Sequence, residues 1–286
     1  MRRTTALVVA LPLSLTACLD GPVLPAGEAV SLDGAVVDAL ALRGLSRDPS
    51  SGNVHVLAEG SGIIELDEAG DVVTRFNVNE RGLLDLPYRD IASLGDGRFL
   101  LIADNEGYLY DALTEQHRVH FCVEPGFVEC FDENGNLIDE NNNGTCDWDE
   151  APVPGREPGI PLEPVIVQRN DALALVGGEV VAAPRFYEQG ARVEASLRSY
   201  NIATGEPTGA VDLSALPIEL TGLAPAAGAL VGVGRDRLVR FDTAGIEVAR
   251  AVLEGVGDAA GVIADGDDGV LVLDAAARTI VRFTVE

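Results

Sequence analysis

Four stretches of the chain repeat one layout, and that repetition limits the fold more than any single motif does. They are LRGLSRDPSSGNVHVLAEGSGIIELDEAGDVVTRFNV (42–78), YRDIASLGDGRFLLIADNEGYLYDALTEQHRVHFCV (88–123), ELTGLAPAAGALVGVGRDRLVRFDTAGIEVARAVL (219–253) and DAAGVIADGDDGVLVLDAAARTIVRFTVE (258–286). Each opens on a short apolar strand, turns through glycine and usually aspartate, and continues in a strand such as NVHVLAE, FLLIAD, ALVGVG or VLVLD. A third strand follows in GIIELD, YLYDAL, RLVRFD or TIVRFT, and the first three copies add a fourth. Runs such as VVTRFNV alternate as a strand with one buried face does. Four antiparallel strands in roughly 35–45 residues, repeated, are the mark of a propeller blade.

A further blade can be drawn through PVIVQRNDALALVGGEVV and ASLRSYNIATGEPTGAVDL (164–213). The last copy ends after its third strand, and AVSLDG (29–34) can supply the missing fourth, tying the two ends together and removing open edges. The expectation is an all-β chain: a β-propeller of five or six four-stranded blades, closed by an N-terminal strand and carrying an inserted acidic loop. A β-sandwich or two smaller β domains is the competing arrangement. The propeller would span 30–286, interrupted by residues 124–163.

The phrase GLSRDPSSGNVHVLAEGSGIIELDEAGDVV, echoed in IASLGDGRFLLIADNEGYLY, resembles the bacterial propellers grouped with NHL repeats and SdiA-regulated proteins. That resemblance implies a propeller. It does not choose among roles, because the group holds binding modules and esterase-like proteins alike, and fold does not deliver function.

The N-terminus, MRRTTALVVALPLSLTAC, places Arg2 and Arg3 before an apolar stretch too short to span a bilayer. It ends in Leu15-Thr16-Ala17-Cys18, which resembles a bacterial lipobox. The resemblance implies a signal peptide over 1–18, lipid on Cys18, and a protein anchored to a membrane without spanning it. Residues 19–29 read as a tether. Leu19 stands where inner-membrane retention signals carry Asp, which points to the outer membrane as the place in the cell envelope.

The formal charge is −26, and all 20 basic residues are arginine. Such a balance argues against nucleic acid as a partner. Without lysine there is no P-loop and no Schiff-base chemistry. A protein or glycan ligand and a monomeric state are the expectation.

Residues 124–163 hold eleven acidic side chains against one basic, Arg156, and APVPGREPGIPLEP carries five prolines. Within this insertion, Asp139, Asn141, Asn143, Gly144, Asp147 and Glu150 satisfy the D-x-[DN]-x-[DN]-G-x5-E pattern of a calcium loop. Asp139, Asn141 and Asn143 would bring oxygens to one centre, and Gly144 would allow the sharp turn. Thr145 would offer its carbonyl, Asp147 would bind directly or through water, and Glu150 would close the site with both oxygens. Hard oxygen donors with several carboxylates suit Ca²⁺. Asp132, Asn134 and Asn136 form a second, incomplete run, its turn position occupied by Leu137. Cys146 and the prolines depart from an EF-hand. The tandem resembles the helix-poor loops of thrombospondin type 3 repeats and dockerins, which implies a calcium ion of structural role.

Cys122, Cys130 and Cys146 remain after Cys18. An exported chain permits a disulfide, and Cys130–Cys146 would bracket the loop, although Cys122 can replace either partner. A zinc site is the alternative. There, His117 and His120 in HRVH would fall on opposite faces of a strand.

Catalytic signatures are sparse: there is no G-x-S-x-G elbow and no H-E-x-x-H. His55 reads as a packed strand residue. Asp104 and Asn105, with Glu59, Asp236 and Asp274 at comparable places, fall at strand ends, where turn chemistry is the ordinary explanation. A ring of such groups could also bind a metal and activate water. The favoured reading is therefore a binding or scaffold module. The alternative is a calcium-dependent lactonase or phosphoesterase using the central channel.

Overall fold

The computed structural model describes residues 21–32, 34, 39–59, 62–76, 88–103, 106–122, 166–188, 191–213, 216, 218–226, 229–242 and 244–285. Those residues form five β-sheets and no helix. The first blade is β3 (Ala41–Arg47), β4 (Val54–Glu59), β5 (Gly62–Leu66) and β6 (Val72–Phe76). The second is β7 (Asp90–Gly95), β8 (Arg98–Ile102), β9 (Glu106–Asp111) and β10 (Gln116–Cys122). The third is β11 (Ile166–Val176), β12 (Glu179–Glu188), β13 (Ala191–Asn201) and β14 (Pro207–Asp212). The fourth is β15 (Gly222–Ala226), β16 (Ala229–Gly234), β17 (Arg237–Phe241) and β18 (Glu247–Leu253). The fifth contains β19 (Ala259–Ala264), β20 (Gly269–Asp274) and β21 (Thr279–Thr284).

The fifth blade is completed from the other end of the chain. Strand β2 (Ala29–Ser31) pairs antiparallel with β21 through Ala29↔Val281, Val30↔Ile280 and Ser31↔Thr279. The expected closure by AVSLDG is thus observed, and the ring is a five-bladed propeller. Strand β1 (Val23–Leu24) adds a parallel fifth strand to the fourth blade, Val23 opposite Val252 and Leu24 opposite Leu253. The stretch read as a tether is therefore docked on the ring from Gly21 onward, where Pro22 and Leu24 accept bonds from the amides of Val252 and Glu254 at 2.9 and 3.0 Å.

One turn recipe recurs in the hairpin before the outer strand. Asp67, Asp111, Asn201 and Asp242 each accept two amide hydrogens from the turn that follows, at 2.8–3.1 Å. A short side-chain acceptor replaces the missing ladder partner and fixes the turn. Gly70, with φ of 85°, continues the first of these turns and leaves no room for a Cβ beside Val30 of the closing strand.

The inner strands β3, β7, β11, β15 and β19 run in one direction around the central channel. The ring therefore has two distinct faces. One, the connection face, carries the starts of the inner strands and the links between blades. The other, the hairpin face, carries the turns that leave each inner strand and those that enter each outer strand. Between blades lie apolar seams. Phe99 and Tyr108 are buried with Leu57 and Ile63 between the first two blades, and Phe121 stacks on Tyr200 at 4.4 Å between the second and third.

Candidate functional site at the connection face

The channel is apolar toward the hairpin face. A cavity of about 390 Å³ opens there, lined chiefly by inner-strand residues such as Leu45, Ile91, Leu173, Leu223 and Ile263. Toward the connection face the backbones close up. A Cβ on Gly222 would lie 2.7 Å from the Cα of Gly261, and one on Gly261 would lie 2.7 Å from the amide nitrogen of Leu45.

At this level Asp90, 1 % exposed, occupies the inner ring. Its carboxylate accepts amide hydrogens from Ile91 at 2.8 Å and Leu173 at 2.7 Å, and another from Leu45. One side chain thereby joins the first, second and third blades. Burial pushes its pKa well above the ordinary carboxylate value, and the three amides oppose that shift without cancelling it.

A charged relay continues from there. The Nε of Arg89 stands 3.8 Å from Asp171, Asp171 pairs with Arg185, and Arg185 reaches Glu219 at 2.6 Å. Asp171 and Arg185 are buried. The relay crosses from the second blade through the third to the threshold of the fourth. Beside it Tyr108 donates to Glu106, and Tyr88 meets Tyr108 edge-on at 5.8 Å. Burial first, and the charge of Glu106 second, push the Tyr88 phenol far above its usual range.

The carboxylates expected at strand ends are engaged locally. Glu59 takes Arg43 at 3.2 and 3.0 Å. Asp274, 1 % exposed, accepts the amides of Gly257, Asp258, Ala276 and Ala277. Asp236 lies 3.7 Å from Arg237. Among the described residues no group of three or more His, Cys, Asp and Glu side chains is placed to hold a metal ion.

Two of the three histidines belong to the packing, and His117 is exposed. His55 is buried in β4 against Phe99, its ring edge-on at 4.9 Å, and desolvation lowers its pKa. His120 sits at the bulge of β10, its Nε2 at 2.8 Å from the Ile202 carbonyl, and so joins the second blade to the third. His117 pairs opposite Tyr110 in the same strand.

Cys18, the calcium-loop residues Asp139, Asn141, Asn143, Thr145, Asp147 and Glu150, the run Asp132, Asn134 and Asn136, and Cys130 and Cys146 lie outside the described residues. So do Asp104 and Asn105. The relay itself was not anticipated. Its available signal is the charge in YRDIASLG and RNDALALV, where Asp90 and Asp171 stand just ahead of apolar runs that must enter the core.

No protein-family model matches the chain, and no curated protein matches it. Many solved structures resemble it, two of them as follows. One is the glutaminyl cyclase of Myxococcus xanthus, with a TM-score of 0.55 at 14 % identity over 93 % of this chain and 99 % of that one. The other is a calcium-binding protein, regucalcin, from Agrobacterium tumefaciens, with a TM-score of 0.49 at 16 % identity over 93 % and 97 %. At such identity the first likeness establishes the propeller fold alone.

Proposed function

We propose that this chain is an exported lipoprotein, anchored through Cys18, whose propeller is a binding module that presents the connection-face mouth of its channel to a protein or glycan. The 139–150 loop holds a Ca²⁺ ion in a structural role. One observation among the described residues supports binding over hydrolysis: Asp90, Asp171, Glu219, Glu59 and Asp274 are already committed. Asp90 is held by amides of three blades, Asp171 and Glu219 by arginines, Glu59 by Arg43 and Asp274 by four amides. A general base or a metal-held water needs a carboxylate with a free lone pair aimed at the substrate. These side chains instead build a stiff polar rim where the inner strands close up. The calcium assignment rests on the spacing of oxygen donors in 139–150. The anchor rests on the lipobox-like Leu15-Thr16-Ala17-Cys18.

The test is a panel of esters, lactones and phosphoesters offered to the purified unlipidated protein with Ca²⁺ present. The expected result is no turnover above background. Turnover that disappears in Arg185→Gln would transfer the mouth to the hydrolase reading. For the loop, Tb³⁺ emission sensitised by Trp148 should appear and be competed away by Ca²⁺. It should be lost in Asp139→Ala and in Glu150→Ala.

A further inference from the structure

We infer that the lipid anchor fixes the orientation of the ring, setting the hairpin face of the fourth blade against the bilayer and turning the connection face away from it. This rests on the anchoring reading above and adds a direction to it.

The chain available between lipid and ring is short. Gly21 is already packed on β18, where its φ of 74° and the nearness of the Arg250 carbonyl leave no space for a side chain. Three peptide links separate it from Cys18, a reach of about 10 Å when fully extended. Because β1 runs parallel to β18, its first residue points toward the hairpin face. Gly21 lies beside Arg250, and a reach of about 10 Å continued in the direction of β1 ends at the start of β18 and the turn before it. A free tether of dozens of residues would let the ring tumble, and this one cannot.

The surface at that exit suits a bilayer. Seven large apolar side chains stand out as exposed among the described residues, and two of them, Ile246 at 62 % and Val248 at 57 %, lie at the start of β18 on this side; Val23, at 62 %, stands farther along, opposite Val252. The adjoining charges neutralise each other, since Arg250 holds Glu247 through two nitrogens. In a chain with a net charge of −26, an edge that combines exposed valine and isoleucine with a closed ion pair is where contact with lipid is least opposed. The opposite face carries the relay, and it also carries both ends of the 124–163 insertion, because β10 finishes and β11 begins there. Binding groups and anchor thus fall on opposite faces.

The experiment places a fluorescent amino acid at position 244, on the hairpin face, or at position 236, on the connection face, of the full lipidated chain in phosphatidylcholine vesicles carrying a headgroup acceptor dye. Energy transfer should be roughly twofold greater from 244, since about 20 Å of strand separates the two positions. A Gly/Ser spacer of about ten residues placed before Gly21 should erase the difference by freeing the tether. Ile246→Asp with Val248→Asp should keep the protein on vesicles and lower the ratio. Equal transfer from both positions in the native chain, or greater transfer from 236, would overturn the orientation. A ratio unmoved by the paired aspartates would overturn the contact by the apolar edge. Absence of a metabolic fatty-acid label that Cys18→Ser removes would instead overturn the anchor itself, and the orientation with it.

Discussion

The inner ring is closed in two different ways on its two sides. From the fourth blade through the fifth to the first, glycines let backbone meet backbone: Gly222 against Gly261, and Gly261 against Leu45. From the first blade through the second to the third, a buried carboxylate gathers three amides, beside a Gly44 whose own Cβ would meet the Asp90 and Ile91 backbone at 2.9 Å. The first solution buries no carboxylate, Thr221 bonding the Ala259 carbonyl beside it, and tolerates no added atom. The second adds a buried carboxyl group that three amides depend on, so its loss leaves those amides without a partner. The relay Arg89–Asp171–Arg185–Glu219 extends this second solution toward the fourth blade. The polar half of the mouth is thus a consequence of how half of the ring is closed.

Removing the carboxylate should have the largest effect. Asp90→Ala would leave the amides of Ile91, Leu173 and Leu45 buried without an acceptor, at roughly 1–3 kcal/mol for each unsatisfied group. A loss of about 3–6 kcal/mol in urea unfolding is expected, with the seam between the second and third blades becoming protease-sensitive first. A loss below about 1 kcal/mol would show that water replaces the carboxylate and that the knot is incidental. The pH dependence sharpens this. A folded-state pKa raised by burial means that the folded protein takes up the proton first as pH falls. Wild type should therefore gain on Asp90→Asn between that raised value and the ordinary value near 3.8, and the difference should level off below it.

The glycine side should respond to the opposite perturbation. Gly261→Ala adds one methyl that meets the Leu45 backbone nitrogen at 2.7 Å and its Cβ at 2.9 Å, so two blades must move apart. Overpacking of this kind costs about 1–3 kcal/mol, and a fall in Tm of roughly 3–10 °C follows for a domain of this size. An alanine accepted without change in Tm would mean that the fifth and first blades are loosely seated, and the contrast between the two sides would dissolve.

These two sides were not equally legible. Blade boundaries could be read because each carries its own punctuation, from Asp67 and Gly70 in the first blade to Asp242 and Gly245 in the fourth, and such turns are decided by neighbours in sequence. The closing strand could be read because the last copy lacked one. Asp90 and Asp171 could not be read as site residues. A charged residue ahead of an apolar run looks like a turn, and only the ring brings Leu173 or Arg89 to it from elsewhere. Arg185 is hidden for the same reason, in the middle of a long strand. Strand β1 escaped because Pro22 and Pro25 flank two residues whose pairing is decided by β18 and not by themselves. The calcium pattern and the lipobox are legible as spacing alone and lie outside the described residues.

The smallest effect is expected where the fifth blade meets the first near the hairpin face, and it asks whether the glycine side uses charge at all. There Asp265 receives Arg47 at 3.1 Å and Arg282 at 3.0 Å, beside a cavity of about 610 Å³ bordered by Val30, Leu66 and Ile280. The geometry repeats the Arg–Asp–Arg arrangement around Asp171, but its setting differs. Here the side chains of Arg47 and Arg282 are 38 % and 55 % exposed, whereas that of Arg185 is 8 % exposed. Water screens the outer clasp, and a surface pair of this kind contributes only about 0–1 kcal/mol. Asp265→Ala should therefore lower stability by no more than about 1 kcal/mol, and half-molar salt should shrink the difference further. Asp171→Ala should cost several times as much, because it takes a buried carboxylate away from the buried Arg185 and from Arg89, and its effect should barely respond to salt. Equal losses, or equal salt sensitivity, would mean that the relay at the mouth is as wet as the clasp and cannot serve as a stiff rim for a ligand.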